Sequence, residues 1–158
     1  MRYTGVFYIY QMKTKLTLII LFLCCLNSFG QEIDYRVKDY YNSFLQRAIS
    51  IGVDPMEFRV NLVGIYLNME TEPKDWARTY QNKSGRAFIN ISELATKQQL
   101  EVLVYHELTH FLLRNTNHYE EGPLLITPGS NFVFTLFQYS PEYYRSELFT
   151  WLDHNIKR

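Results

Sequence analysis

The segment Lys97–Leu113 constrains the fold of this chain most strongly, because it is long and apolar yet carries two histidines and a glutamate. No glycine or proline interrupts it, and its apolar residues recur with helical spacing. Thr96, followed by Gln99 three residues later, matches a capping box at its start. The pattern predicts a helix over residues 97–113 that is buried along most of its length.

Within this predicted helix, His106, Glu107 and His110 fit the pattern H-E-x-x-H. Residues four apart lie on one helix face, so two imidazoles can bind a single zinc ion, which prefers nitrogen ligands at ~2.0–2.1 Å. Glu107 then lies beside the metal, where its carboxylate can accept a proton from an activated water. The alternative is a core helix whose histidines are satisfied by neighbouring groups. Each buried group without a partner costs about 1–3 kcal/mol, which a bound metal would offset.

A catalytic zinc site has three protein ligands and one open position. His118, eight residues after His110, is the main candidate for the third ligand. Asn115 or Asn117 is predicted to take the left-handed conformation that reverses the chain between them. Glu147, in the last predicted helix, is the alternative third ligand. In another class of zinc peptidases, a glutamate from a second helix completes a site of two histidines and one glutamate.

Residues 104–118 resemble the active-site helix of metzincin-like zinc metallopeptidases, in particular the short exported ones with a third histidine soon after the helix. Residues 141–149 resemble the closing helix of the same proteins. The resemblance implies a zincin-like fold and zinc-dependent hydrolysis of peptide bonds. It also implies the roles of four residues, with zinc bound by His106, His110 and His118 and Glu107 as general base.

The chain departs from the metzincin pattern at three places. Leu113 stands where metzincins have a glycine, and Thr116 stands where they have the third histidine. Metzincins also have a methionine turn beneath the metal, but no methionine follows Met69 in this chain. Residues 125–128 are the candidate for that position in the sequence.

The first thirty residues have the composition of a secretory signal peptide. A basic segment precedes an apolar run over residues 16–26, and small residues end the segment at Gly30. We therefore expect residues 1–30 to be removed, with Met12 as a second candidate start, and residues 31–158 to form one secreted or periplasmic domain. The apolar run is shorter than the ~20 residues of a spanning helix, which disfavours a stable membrane span. Bulky residues before Cys24 disfavour a lipoprotein.

The composition of the remaining chain narrows its ligands and partners. Both cysteines lie in the leader, so zinc would have to bind histidine or carboxylate side chains. The whole chain is neutral and the leader holds three basic and no acidic residues, which leaves residues 31–158 with a net charge of −3. Without a basic cluster, the sequence argues against nucleic acid as a partner. The resemblance to zinc metallopeptidases implies a peptide or protein substrate.

The remaining patterns predict an α+β domain, with a short mixed or antiparallel sheet, the motif helix and flanking helices. Helices are predicted over residues 33–51 and 142–154, and strands over residues 58–69, 77–81 and 86–91. The strand over 86–91 is the candidate sheet edge at which a peptide could pair, and an interior strand is the alternative. Its candidate substrate-binding residues are Arg86, Phe88 and Asn90. The alternative to an enzyme is a non-catalytic binding module of the cell envelope that keeps the fold.

Overall fold

The computed structural model describes residues 30–68, 76–115, 122–123, 125 and 136–156. The chain divides into two compact units, Met1–Gly30 and Gln31–Arg158, and their boundary coincides with the predicted end of the leader. Among the described residues, no helix has the length and apolar character needed to span a membrane.

The Gln31–Arg158 unit is a small α+β domain, as predicted. Its elements follow the chain in the order β1 (Glu32–Ile33), α1 (Lys38–Ser50), α2 (Pro55–Asn61), β2 (Leu62–Asn68), β3 (Ala77–Gln81), β4 (Ala87–Ser92), α3 (Lys97–Leu113) and α4 (Pro141–Ile156). The strand order in the sheet is β1-β2-β4-β3. Strands β1, β2 and β4 are parallel, whereas β3 is antiparallel to β4, so the sheet is mixed.

The motif helix α3 has the predicted bounds because its start is capped by side chains. The Thr96 hydroxyl accepts a hydrogen bond from the Gln99 backbone N–H at 3.3 Å. The Gln99 side-chain oxygen in turn accepts from the Thr96 N–H at 2.8 Å. This reciprocal capping box satisfies two of the donors that a helix start leaves unpaired.

The prediction of a strand over residues 58–69 is wrong for its first four residues. Asp54 caps α2 by accepting from the Met56 N–H at 2.9 Å, and Pro55 occupies the first helical turn, where its missing N–H is not needed. Phe58 is fully buried on this helix, whereas Val60 is half exposed. Val60 gave residues 59–62 the alternation of apolar and polar residues that is typical of a strand, although its side chain is exposed.

The first predicted helix also begins later than expected. Glu32 and Ile33 pair with β2 as a short parallel strand, and the Asp34 N–H continues this pairing by donating to the Ile65 carbonyl at 2.9 Å. The helix α1 therefore begins at Lys38. A two-residue strand leaves no periodic pattern in the sequence, so only its pairing partner reveals it.

The helices pack on one face of the sheet through a cluster of buried aromatic rings. The ring of Phe44 in α1 lies 5.2 Å from Tyr105 in α3 and 5.1 Å from Phe149 in α4, measured between centroids. Phe58 in α2 lies 5.4 Å from Phe111 in α3. Such pairs add about 0.5–1.5 kcal/mol each beyond the burial of their area. They hold α3 against α1 and α2, and α1 against α4.

The strand predicted as the sheet edge lies in the sheet interior, so that prediction is wrong. Strand β4 is paired on one side with β2 and on the other with β3, which leaves its backbone no position for a peptide. Phe88 and Asn90 alternate with the buried Ile89, and they therefore lie on the sheet face away from the helices. Arg86 donates to the Val60 carbonyl at 3.0 Å. Among the described strands, the antiparallel edge beside α3 is β3.

Candidate metal centre

The three motif residues are buried side by side on α3. The exposed fractions of His106, Glu107 and His110 are 9%, 5% and 6%. The Nε2 atoms of the two histidines lie 3.0 Å apart, and the ring centroids lie 4.6 Å apart at an interplanar angle of 78°. The helix therefore brings one nitrogen of each imidazole to a common point.

The other nitrogen of each ring contacts a backbone carbonyl. His106 Nδ1 lies 2.8 Å from the carbonyl oxygen of Leu125, and His110 Nδ1 lies 2.7 Å from that of Asn115. A carbonyl oxygen only accepts hydrogen bonds, so each Nδ1 must carry the hydrogen. In a neutral imidazole the Nε2 atom then has a lone pair and no hydrogen. The two lone pairs consequently face each other.

The donor set of the two histidines fits a zinc ion, because zinc prefers imidazole nitrogen ligands. The two Nε2 atoms, 3.0 Å apart, cannot hydrogen-bond to each other while each Nδ1 carries the only ring hydrogen. Donation from each Nδ1 to a carbonyl is also the usual support of a zinc-binding histidine.

The carbonyl of Asn115 reaches His110 because the chain reverses at the end of α3. Arg114 takes the left-handed conformation, with φ 51° and ψ 33°. The prediction of this conformation for Asn115 is wrong by one residue, and Asn117 lies outside the described residues. The Asn115 N–H donates to the His110 carbonyl at 3.3 Å, which closes the helix end and points the Asn115 carbonyl back at the His110 ring.

The carbonyl of Leu125 comes from the segment that the sequence indicated as the counterpart of the methionine turn. Leu125 is fully buried and belongs to the hydrophobic core. Its backbone oxygen orients the His106 ring, as the Asn115 carbonyl orients that of His110. Ile126 and Thr127 lie outside the described residues.

The side chain of Glu107 is held by the sheet. The hydroxyl of Thr79, in the middle of β3, lies 2.7 Å from Glu107 Oε2 and 3.2 Å from the Glu107 carbonyl oxygen. The Glu107 side chain therefore contacts the edge strand β3, and Glu107 directly follows His106 in the chain. A carboxylate in this place is suited to exchange protons with a group that reacts beside the metal.

The third ligand is not placed by the described part of the chain. His118 lies outside the described residues, so its prediction stays untested. Glu147 lies on α4, where its Oε2 atom is buried without a hydrogen-bond partner. Within residues 30–68, 76–115 and 136–156, no three His, Cys, Asp or Glu side chains come together as a metal site. The structure thus brings together His106 and His110 and does not bring Glu147 to them.

Sequence reasoning did not find the two backbone carbonyls or Thr79. Backbone oxygens leave no signal in residue identity, and they become visible only when the loop positions are known. Thr79 carried a weak signal, because it is a polar residue in the middle of a predicted strand with alternating burial. Its partner lies 28 residues away, which no local pattern reports.

Comparison of the chain with protein families, with curated proteins and with solved structures found no match. The function is therefore inferred from the chemistry of the residues that the fold brings together.

Proposed function

We propose that this chain is an exported zinc-dependent metallopeptidase. The observation that carries the proposal is the meeting of two Nε2 atoms at 3.0 Å while both Nδ1 atoms donate to carbonyls. This pairing gives two oriented nitrogen ligands with a buried carboxylate beside them. The signal-like composition of residues 1–30 supports export.

In the proposed site, His106 and His110 hold zinc and His118 is the third ligand, with Glu147 as the alternative. When bound, zinc would lower the pKa of a water molecule and polarise a substrate carbonyl. The Glu107 carboxylate would accept the proton from the attacking water and pass it to the leaving amine. Its burial at 5% exposure keeps bulk water away during these transfers.

The proposed substrate is a peptide that pairs with β3. This strand is antiparallel to its neighbour β4 and lies at the described edge of the sheet, beside the motif helix. An extended peptide added to such an edge gains backbone hydrogen bonds whatever its side chains are. The same contact would bring a peptide bond toward Glu107, because Thr79 in this strand contacts that carboxylate. A mixed sheet with this edge agrees with a zincin-like fold, which we include in the proposal.

The test compares Glu107→Gln with the wild-type chain. The variant keeps the size of the side chain and both histidine ligands, so we expect stoichiometric zinc by elemental analysis. It cannot act as a base, so we expect cleavage of fluorescein-labelled casein to fall at least about 100-fold. Full activity in Glu107→Gln would reject the proposed role.

The third ligand and the non-catalytic alternative are separated by metal content. His118→Ala is expected to lower zinc affinity strongly, whereas Glu147→Gln is expected to leave it unchanged. The reverse result would make Glu147 the ligand. A wild-type chain that binds no zinc and cleaves nothing would favour the non-catalytic envelope module.

A further inference from the structure

The hydroxyl of Thr79 makes the contact between β3 and the proposed general base. Its Oγ1 atom lies 2.7 Å from Glu107 Oε2, a short distance of the kind found when a hydroxyl donates to a carboxylate. The same oxygen lies 3.2 Å from the Glu107 carbonyl. A hydroxyl has one hydrogen, and the shorter contact to the charged acceptor takes it.

Thr79 is held rigidly enough to fix the direction of this bond. It pairs with Ile89 across the antiparallel ladder between β3 and β4, so its position follows the register of the sheet. Ile89 is fully buried, and cross-strand partners share one face of the sheet, which directs the Thr79 side chain to the helix side. Threonine is also branched at Cβ, which limits the rotation of its hydroxyl.

The bond ties one carboxylate oxygen of Glu107 to the strand. A glutamate has three rotatable side-chain bonds, and an unrestrained carboxylate would sample several directions about the helix. Donation to Oε2 selects one of them. The strand that supplies this hydroxyl is also the strand on which the proposed substrate would lie.

We propose that Thr79 is a positioning residue that aims the Glu107 carboxylate at the peptide bond of a substrate lying along β3. This inference rests on the proposed peptidase function. The described contacts of the Thr79 hydroxyl are both with Glu107, so its proposed role is exerted through that residue. The register of the edge strand thereby sets the geometry of both the substrate and the base.

The bond is tested first in the metal-free chain, without reference to activity. Thr79→Val and Glu107→Met each remove one partner, and urea unfolding of both single variants and the double variant forms a double-mutant cycle. Thr79→Val keeps the branched shape, so the strand is retained. If the hydroxyl donates to a charged carboxylate, the two single substitutions should not act independently. The unfolding constant of the double variant should differ by about 10-fold or more from the value obtained by multiplying the two single effects. Additive effects would overturn the proposal.

The positioning role is tested next on the zinc-loaded chain with fluorescein-labelled casein. We expect Thr79→Val to lower kcat by about 10-fold to 100-fold, the size of effect that a displaced catalytic group produces. Its KM and zinc affinity should stay within about two-fold of wild type, because the described contacts of the hydroxyl are with Glu107. Thr79→Ser, the matched control that keeps a hydroxyl, should recover most of kcat. An unchanged kcat in Thr79→Val, or no recovery in Thr79→Ser, would overturn the proposal.

A different result would reject the peptidase proposal: the wild-type chain itself would bind no zinc or cleave no casein. The failure of the positioning proposal appears only between variants, in a wild-type chain that binds zinc and cleaves casein.

Discussion

The backbone carbonyl that orients His110 cannot be removed by a side-chain substitution, but it can be displaced by substitutions at Arg114. Arg114 has the left-handed conformation at the end of α3, with φ 51° and ψ 33°, and it is the one non-glycine residue with positive φ among those described. The following carbonyl, of Asn115, accepts from His110 Nδ1 at 2.7 Å. Replacing Arg114 with residues that tolerate or resist this conformation should therefore change the support of the metal ligand.

The expected energies follow from the backbone and from one ion pair. The left-handed conformation costs a non-glycine residue about 1–2 kcal/mol, and more for a branched one. The Arg114 guanidinium lies 3.1 Å from Glu57, but its side chain is 68% exposed, so the pair is worth at most about 1 kcal/mol. Arg114→Gly relieves the strain, loses the pair and gains freedom when unfolded, which predicts a net change within about 1 kcal/mol. Arg114→Val should be about 2 kcal/mol less stable than Arg114→Gly.

Zinc affinity should also be lower in Arg114→Val than in Arg114→Gly. Groups that orient metal ligands typically contribute about 10-fold to 100-fold in metal affinity, so we expect a loss of this size in Arg114→Val. Arg114→Gly should bind zinc as the wild type does. The assay is competition with a chromogenic chelator, alongside urea unfolding of the metal-free chains. Arg114→Asn is the matched control, because it removes the charge but tolerates the left-handed conformation.

Two results would contradict an orienting role of the Asn115 carbonyl. If Arg114→Val were destabilised yet kept wild-type zinc affinity, the Asn115 carbonyl would not orient the ligand. If Arg114→Gly and Arg114→Asn lost as much affinity as Arg114→Val, the arginine side chain, and not the backbone conformation, would matter.

Two further predictions concern stability. A Cβ atom on Gly64 would lie 2.4 Å from the backbone oxygen of Glu32, so Gly64→Ala should displace β1. We expect the free energy of unfolding in urea to fall by about 1–3 kcal/mol, and an unchanged value would contradict the close pairing of β1 and β2. Burial raises the pKa of Tyr105 above its ordinary value of 10.0, although the hydrogen bond with Ser43 acts in the opposite direction. The folded state therefore favours the neutral phenol, and this contribution to the free energy of unfolding is complete below pH 10 and is lost as the pH rises through the pKa of the folded state. The fall in melting temperature between about pH 9 and about pH 11 should therefore be smaller in Tyr105→Phe, and an equal fall would contradict the assignment.

The motif helix could be predicted from sequence because everything that defines it is local. The capping box, the absence of Gly and Pro, and the four-residue spacing of the histidines all lie within residues 96–113. The structure confirms the bounds Lys97–Leu113 and brings the Nε2 atoms of His106 and His110 together. Helical geometry alone turns two residues four apart to one face, so no distant contact was needed.

The errors came from contacts that are distant in sequence. The position of β4 inside the sheet depends on its pairing with both β2 and β3, and the pattern of Ala87–Ser92 is the same for an interior strand and an edge strand with one covered face. The helix α2 was misread because the exposed Val60 extended an apparent alternation. The supports of the metal centre, from Thr79, Asn115 and Leu125, depend on the same long-range folding.

The central claim is that one zinc ion lies between the Nε2 atoms of His106 and His110. X-ray absorption at the zinc edge, on the purified chain dialysed after loading with one equivalent of zinc, measures this directly. We expect one retained zinc per chain with imidazole nitrogens at about 2.0–2.1 Å, and loss of that ion in His106→Ala and in His110→Ala. Zinc that dialyses away from the wild-type chain, or that shows no imidazole in its coordination shell, would contradict it.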